Sequence, residues 1–346
     1  MTKSTPCTPQ TSGLDFLTRS LPVWVLAAMG IGLWLSSRSQ EFAAWLAPCI
    51  PLGLFLMIYP AMTKLHLEDI KSAARNRTAT ALTLFFNYTV NPALLWLFGW
   101  IFLRDMPELW VGLILLGVAP CIAMVLVWTD LAKGNNSLSI TLMAWNSLIQ
   151  IITTPFFIWL IIGQRVDIDT GMIAQSVLLY LGLPLLLGFA TRRLAVRTKG
   201  AQWFDGQVQP KLDKLQLGAL LFTLLVIYTL QGNAIMQHPE FIGYMAAPLA
   251  LFFISLYGLV FFVMRMAGQD YANSVAVAFN ATGRNFELAI AIAVSAFAAQ
   301  PLVGASTAVG PLIEVPLMLA IVWWSKRMGN IGRDGLTVLR PPARET

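Results

Sequence analysis

Gly117-Val-Ala-Pro-Cys-Ile-Ala-Met-Val-Leu-Val-Trp128 decides how this chain is read. The stretch lies in an uncharged apolar run from Trp110 to Trp128. Roughly 20 helical residues cross the ~30 Å hydrocarbon core of a bilayer, so the run is close to one span. Yet Pro120 stands at its centre, with Cys121 directly after it. Proline lacks an N–H and crowds the preceding turn, which predicts a broken helix at Pro120. Within a bilayer such a break is tolerated only where the freed backbone groups face protein or a wet cavity. A half-helix restarting there would put Cys121 in its first turn, where the positive dipole end favours a thiolate. A break, a thiol and a dipole end in one place predict a binding site near the bilayer midplane.

The surrounding composition gives the class. The 346 residues are 57% hydrophobic and only 12% charged, about half the charged share of a soluble domain. That predicts an all-α integral membrane protein with ten apolar segments: 21–36, 43–62, 78–103, 110–128, 138–162, 172–190, 215–230, 242–264, 271–298 and 302–325. None shows strand alternation. The net charge of +6 does not point to nucleic acid, because the basic residues cluster in loops between apolar runs. Cys7, Cys49 and Cys121 make an odd three and suggest no disulfide framework. No catalytic triad, metal-ligand spacing or phosphate loop is present, so neither an enzyme nor a cofactor is expected.

Nineteen of the 23 Lys and Arg residues fall in loops and tails on one side of the ten segments, and only Arg38, Arg104 and Arg165 on the other. The positive-inside rule therefore places both termini in the cytoplasm of a multi-pass protein of the inner (plasma) membrane. Residues 1–20 and 329–346 read as cytoplasmic tails, the first of them flexible. Ten segments divide into five and five, and an odd repeat must enter the membrane from the opposite side. Residues 21–162 and 163–328 then form inverted repeats, joined through a polar, basic cytoplasmic loop at 191–214. The fourth and ninth segments become equivalent, and both are interrupted: one at Ala119-Pro120, the other over Asn280-Ala-Thr-Gly-Arg-Asn285. Paired interruptions of this kind mark a midplane transport site.

Three charged residues fall inside the spans: Arg284, Glu287 and Glu314. Each costs at least ~2.5–3.5 kcal/mol near the bilayer centre, so each needs a partner or a role. Arg284 and Glu287 are three apart and would share a face if the helix restarts near Arg284. They read either as a structural ion pair or as a proton-coupling unit in which Glu287 binds and releases a proton. Glu314, between Pro311 and Pro316, reads as a carboxylate satisfying backbone donors freed at those prolines, or as a second proton site. Asn87, Asn91, Asn146 and Gln150 would line a cavity or hydrogen-bond between helices. Position alone makes Trp128 an interfacial anchor, and Cys121 otherwise a small apolar residue.

Gly117-Val-Ala-Pro-Cys-Ile-Ala-Met-Val-Leu-Val-Trp-Thr-Asp-Leu-Ala-Lys-Gly134, Asn285-Phe-Glu-Leu-Ala-Ile-Ala291 and Gly310-Pro-Leu-Ile-Glu-Val-Pro316 resemble the fourth-, ninth- and tenth-helix motifs of the arsenical-resistance-3 family of arsenite efflux permeases. The resemblance runs from about Leu21 to Arg327. It implies ten helices in inverted repeats, with discontinuous helices four and nine crossed in a core domain beside a panel domain. It also implies antiport of trivalent arsenite, with antimonite as a second substrate, against protons. The family's essential cysteine falls on Cys121 and its essential glutamate on Glu287. Its substrate-site residues fall on Trp128, Asn146, Phe279 and Asn285. Two positions depart from the pattern. The family usually carries Arg just before the cysteine, where this chain has Pro120, and Asn before Asn-Phe-Glu, where it has Arg284. If the broken helices cross, those positions are neighbours and one positive charge has changed helix.

The expectation is thus proton-coupled export of uncharged arsenious acid, held by the single thiolate of Cys121 and by hydrogen bonds from Asn146 and Asn285. The rival, from the same superfamily, is sodium- or proton-coupled symport of an organic anion, with Arg284 clasping a carboxylate.

Overall fold

The computed structural model describes residues 20–38, 40–46, 48–64, 76–122, 124–163 and 169–337. Cys7, most of the N-terminal tail and the last nine residues lie outside that set, as do Lys71, Arg75 and Arg165. In chain order the helices are α1 (Leu21–Ser36), α2 (Gln40–Leu46), α3 (Cys49–Thr63), α4 (Arg77–Phe85), α5 (Asn91–Phe102), α6 (Pro107–Val118), α7 (Met124–Leu131) and α8 (Asn136–Ile162). The remainder are α9 (Thr170–Val177), α10 (Leu183–Lys199), α11 (Ala201–Trp203), α12 (Gln209–Gln237), α13 (Glu240–Met266), α14 (Tyr271–Thr282), α15 (Phe286–Ala296) and α16 (Pro301–Thr337). Among the described residues there is no strand, and every apolar segment of the sequence falls mainly on helix, the second divided between α2 and α3, the fourth between α6 and α7 and the ninth between α14 and α15. Among the described residues six continuous helices are long and apolar enough to cross a bilayer, and 21–36, 49–63, 107–118 and 286–296 are shorter apolar helices.

Local chemistry sets the helix ends. Asn76, Asn135, Asp169, Asp270 and Asn285 each accept a hydrogen bond from the backbone N–H three residues on, starting α4, α8, α9, α14 and α15. These are the short side chains that satisfy orphan donors best. Single π-helical turns at Phe86–Val90, Leu178–Gly182 and Phe204–Val208 lead into α5, α10 and α12. Each stands just before a proline, at Pro92, Pro184 and Pro210. A widened turn relieves the clash between the proline ring and the carbonyl one turn back, so the helix bends without ending.

Two expectations need correction. The connection at 191–214 is not a polar loop: α10 runs to Lys199, and only Gly200, with φ of +86°, interrupts the helix before α11. Arg192 is buried there, donating to the Thr63 carbonyl (3.0 Å) and pairing with Asp205 (2.9 Å). A buried cation answering the carbonyl end of α3 and a nearby carboxylate no longer needs water, so the backbone can stay helical. Likewise, the stretch from residue 329 is not wholly a tail, because α16 continues through Thr337. Pro311 and Pro316 lie within that helix without ending it.

The helices pack in two groups. α12 lies against α1 and α3, and α10 against α3. The second group gathers α13 with α14, α16 with α6 and α15, and α5 with α6. The groups meet where α12 touches α16, with Tyr228 donating to the Ala308 carbonyl (2.6 Å), and where α9, continuous with α10 through a π turn, packs on α15, with the Ser176 and Ser295 hydroxyls 2.8 Å apart. The exterior is apolar, with Trp24, Trp34, Trp96, Ile152, Trp159, Phe262 and Trp323 exposed. Asn87, Asn91, Asn146, Gln150, Asn280, Arg284, Glu287 and Glu314 are buried. Polar inside and greasy outside is the inverse of a soluble domain and suits lipid as solvent.

Candidate functional site

α6 ends at Val118, and Ala119 turns the chain extended with φ of −106° and ψ of 114°. α14 ends at Thr282, and Gly283 does the same with φ of −61° and ψ of 139°. The two links run antiparallel beside each other. Cys121 N donates to Gly283 O (3.0 Å), Asn285 N donates to Ala119 O (2.9 Å), and Pro120 faces Arg284 across the pair. In this register Pro120 is the residue whose N–H the ladder does not use, so proline is accommodated there. The Arg284 N–H, equally unused by the ladder, donates to Glu314 Oε1 (3.3 Å). The two interruptions expected from sequence therefore cross, and the two positions that depart from the family pattern are bridge partners.

The Arg284 side chain is fully enclosed, and every nitrogen of its fork has an oxygen. Nη1 donates to Gly117 O (3.0 Å), Nε to Thr282 O (3.0 Å), and Nη2 to Asn87 Oδ1 (2.8 Å) and Ala281 O. The guanidinium also stands over the Phe252 ring, 5.8 Å from its centre. The first-half end of the ninth segment is thereby completed. Phe279 O accepts from Gly283 N, Asn280 O from Asn87 Nδ2 (3.1 Å), Ala281 O from Asn91 Nδ2 (2.9 Å) and Arg284, and Thr282 O from Arg284. These are the last four carbonyls of α14, which no helix can satisfy internally.

Three expectations about side-chain roles change accordingly. Cys121 is not in the first turn of a half-helix, because α7 begins at Met124 and the backbone of Cys121 is committed to the bridge with Gly283. The dipole argument for its thiol is correspondingly weaker, since the effect fades beyond the first turn. Arg284 and Glu287 do not form an ion pair. α15 begins at Phe286 rather than at Arg284, and each nitrogen of the Arg284 fork is engaged by carbonyl or amide oxygens. Glu314 answers the freed N–H of the neighbouring break rather than donors at its own prolines.

The remaining predicted residues are all buried. Cys121, at 2% exposure, lies beside Gly283, where an added Cβ would stand 3.2 Å from the cysteine Cβ. Glu287 occupies the first turn of α15 with its Oε1 enclosed and without a hydrogen-bond partner. Asn285 caps that helix through Oδ1 to Leu288 N (3.0 Å), leaving Nδ2 unmatched. Asn146 accepts at Oδ1 from Asn87 (3.1 Å), and its Nδ2 is also unmatched. Gln150, one turn further along α8, has neither end matched. Phe279 packs against Tyr257, with ring centres 4.8 Å apart and the planes tilted by 56°. Trp128 is at 1% exposure, which rules out an interfacial anchor. Asn87 and Asn91 bond between helices rather than line an open cavity.

Sequence reasoning missed Gly283, Phe252 and Gly117. Gly117 supplies a carbonyl to Arg284, and a Cβ there would drive into the Leu95 side chain. Its one visible signal was a glycine three residues before a mid-span proline.

A helical membrane protein in which two broken spans cross amid buried polar side chains has the architecture of a secondary transporter. The sodium bile acid symporter family matches residues 51–238, and the chain belongs to it. It is 33% identical over 341 residues to the arsenical-resistance protein Acr3 of Corynebacterium glutamicum, covering 93% of this chain and 92% of that one. Acr3 of Alkaliphilus metalliredigens is 29% identical over 334 residues, with 91% and 94% covered. A probable chloroplastic sodium/metabolite cotransporter of Oryza sativa subsp. japonica, BASS2, is 24% identical over 313 residues, with 89% and 68% covered.

Proposed function

We propose that this protein exports trivalent arsenite, and with it antimonite, from the cytoplasm in exchange for protons. One observation carries the reading. The bridge that seats Cys121 beside the ninth-segment break places it by the segment whose Asn285 Nδ2 and Glu287 Oε1 are buried and unmatched. Unmatched buried polar atoms are rare in folded proteins and call for a ligand, a water or a proton. The names of the two arsenical-resistance relatives support the substrate.

Each residue then has a task. The Cys121 sulfur, a soft donor, displaces one hydroxyl of arsenious acid as water and holds the arsenic by a single As–S bond. Asn285 and Asn146 donate to the remaining hydroxyls, and Trp128 and Phe279 wall the site. One thiolate rather than three keeps the bond reversible, as a carrier requires. Glu287 takes a proton from the outer face and loses it to the inner one, biasing which face the site meets. Arg284 enters the coupling indirectly, by fixing the crossing from which Glu287 starts.

The same reading divides the chain into inverted repeats at 21–162 and 163–328. The group of α1, α3, α10 and α12 serves as a panel that rocks against a core built on the crossing. The lopsided basic loops put both termini on the cytoplasmic side of a plasma membrane.

The test is arsenite accumulation by everted vesicles under an imposed pH gradient. Cys121→Ala is expected to abolish it, and Glu287→Gln to abolish its response to the gradient. The names of relatives such as BASS2 favour a second reading, sodium-driven uptake of an organic anion. Against it, all three nitrogens of the buried Arg284 fork are already engaged by protein oxygens, and Phe252 stands over its face, which leaves no pair of parallel donors for a substrate carboxylate. Accumulation that requires sodium and ignores arsenite would select the second reading.

A further inference from the structure

The oxygen set around Arg284 has the composition of a cation site. It comprises the Gly117, Ala281 and Thr282 carbonyls and Asn87 Oδ1, all buried, at 2.8 to 3.0 Å where they meet Nη1, Nε and the Asn87 arm of Nη2. Three of the four belong to the carbonyl ends of two half-helices, α6 and α14, which converge on one point. Each such end carries about half a negative charge, so together they ask for roughly one positive charge. Unwound carbonyls and half-helix C-terminal ends are what transporters use to hold a coupling cation at the midplane. Here a covalently attached guanidinium stands in that place. The half-helices that follow the two breaks, α7 and α15, bring amide ends after the crossing, and Glu287 occupies the first turn of the second. The crossing is therefore divided by charge, with a cation at the carbonyl ends and an acid at an amide end.

We infer that Arg284 is a tethered replacement for a free monovalent cation, so that the crossing is assembled without sodium, and that trimming the side chain opens a site for one. Four facts bear on this together. Every nitrogen of the fork is engaged, it reaches both half-helices at once, and its hydrogen-bond partners are all oxygens. The chain also belongs to a family whose name includes sodium, while its own side chain fills this oxygen set. The guanidinium thus does permanently what an arriving ion would do once per cycle. It holds the α6 and α14 ends together, and with them the bridge that seats Cys121. Any free-ion coupling must then run through a different group, the acid on α15.

Purified full-length protein in detergent tests this without reference to any transported substrate, so a failure of the arsenite reading leaves the result interpretable. Thermal unfolding is followed for wild type and for Arg284→Ala in sodium, guanidinium and choline chlorides at matched tens-of-millimolar concentrations. The variant is expected to melt several degrees lower in choline, and sodium or guanidinium is expected to recover at least half of that loss in a saturable way. Wild type is expected to respond equally to all three salts. Equal response of the variant to all three, or sodium-specific stabilisation of wild type, overturns the inference. Should Arg284→Ala not fold in any salt, radioactive sodium binding to wild type decides. Stoichiometric binding that Asn87→Ala removes overturns it, and no such binding upholds it.

Discussion

At the residue scale, the bridge between Pro120 and Arg284 makes a statement about exchangeability. Residues directly opposed in an antiparallel pair have Cβ atoms about 4.5–5.5 Å apart and project to the same side. An arginine grown from position 120 therefore starts close to where the Arg284 side chain starts. Arg284→Asn alone takes the arginine donor from Gly117 O and Thr282 O, and leaves Asn87 Oδ1 with Asn91 as its remaining donor. Each buried acceptor stripped of its partner costs about 1–3 kcal/mol, enough for transport to fall at least tenfold. Pro120→Arg combined with Arg284→Asn is expected to regain a large part of that activity in the vesicle assay. If the pair is no better than Arg284→Asn alone, the two positions do not share one charge. The conservative change Arg284→Lys is expected to fail too, because a single ammonium cannot span carbonyls on two helices as the fork does.

At the element scale, the broken helices hold because their ends are satisfied by neighbours, and Asn87 is the most heavily used of these. It donates to Asn280 O and Asn146 Oδ1, and it accepts from Arg284 and Asn91. Asn87→Ala is expected to lower stability by about 2 kcal/mol, several bonds at the ~0.6 kcal/mol typical between membrane helices. A melting point unchanged in detergent would contradict this account of the α14 end. The presence of breaks was legible from the sequence, since a proline in an uncharged run and a polar sextet in another need no partner to be noticed. Their consequences were not. Whether α7 starts at Cys121 or Met124 depends on Gly283 O, a group more than 150 positions away in the chain. Spacing put Arg284 and Glu287 on one face, but that holds only inside a helix, and Arg284 lies before α15 begins. The helical connection at 191–214 was hidden for the same reason. Its buried Arg192 is answered by Asp205 within the connection and by the remote Thr63 carbonyl, and the burial that this second partner allows cannot be read from local composition.

At the scale of the whole molecule, a transporter must let its two groups of helices move while each stays intact. The interface between them is consistent with that demand. α12 is bound into its own group by close approaches, such as Gly32 against Tyr228 and Gly53 against Thr223, where a Cβ would collide. Across to α16 it makes the Tyr228–Ala308 bond, which one side-chain rotation can release, and among the described residues its one glycine approach there is Gly304 to the movable end of the Gln231 side chain. Cys121, at 2% exposure, is closed to solvent in this arrangement, so a thiol reagent reaches it only when the groups part. Tyr228→Phe removes a neutral hydrogen bond worth about 1 kcal/mol while keeping the ring, and so should raise the open population roughly fivefold. In a background with Cys7 and Cys49 replaced by Ser, the labelling rate of Cys121 is expected to rise by that factor, with little change in melting temperature. An unchanged rate would mean that the Tyr228 contact does not hold the groups closed, and that the rocking surface lies elsewhere.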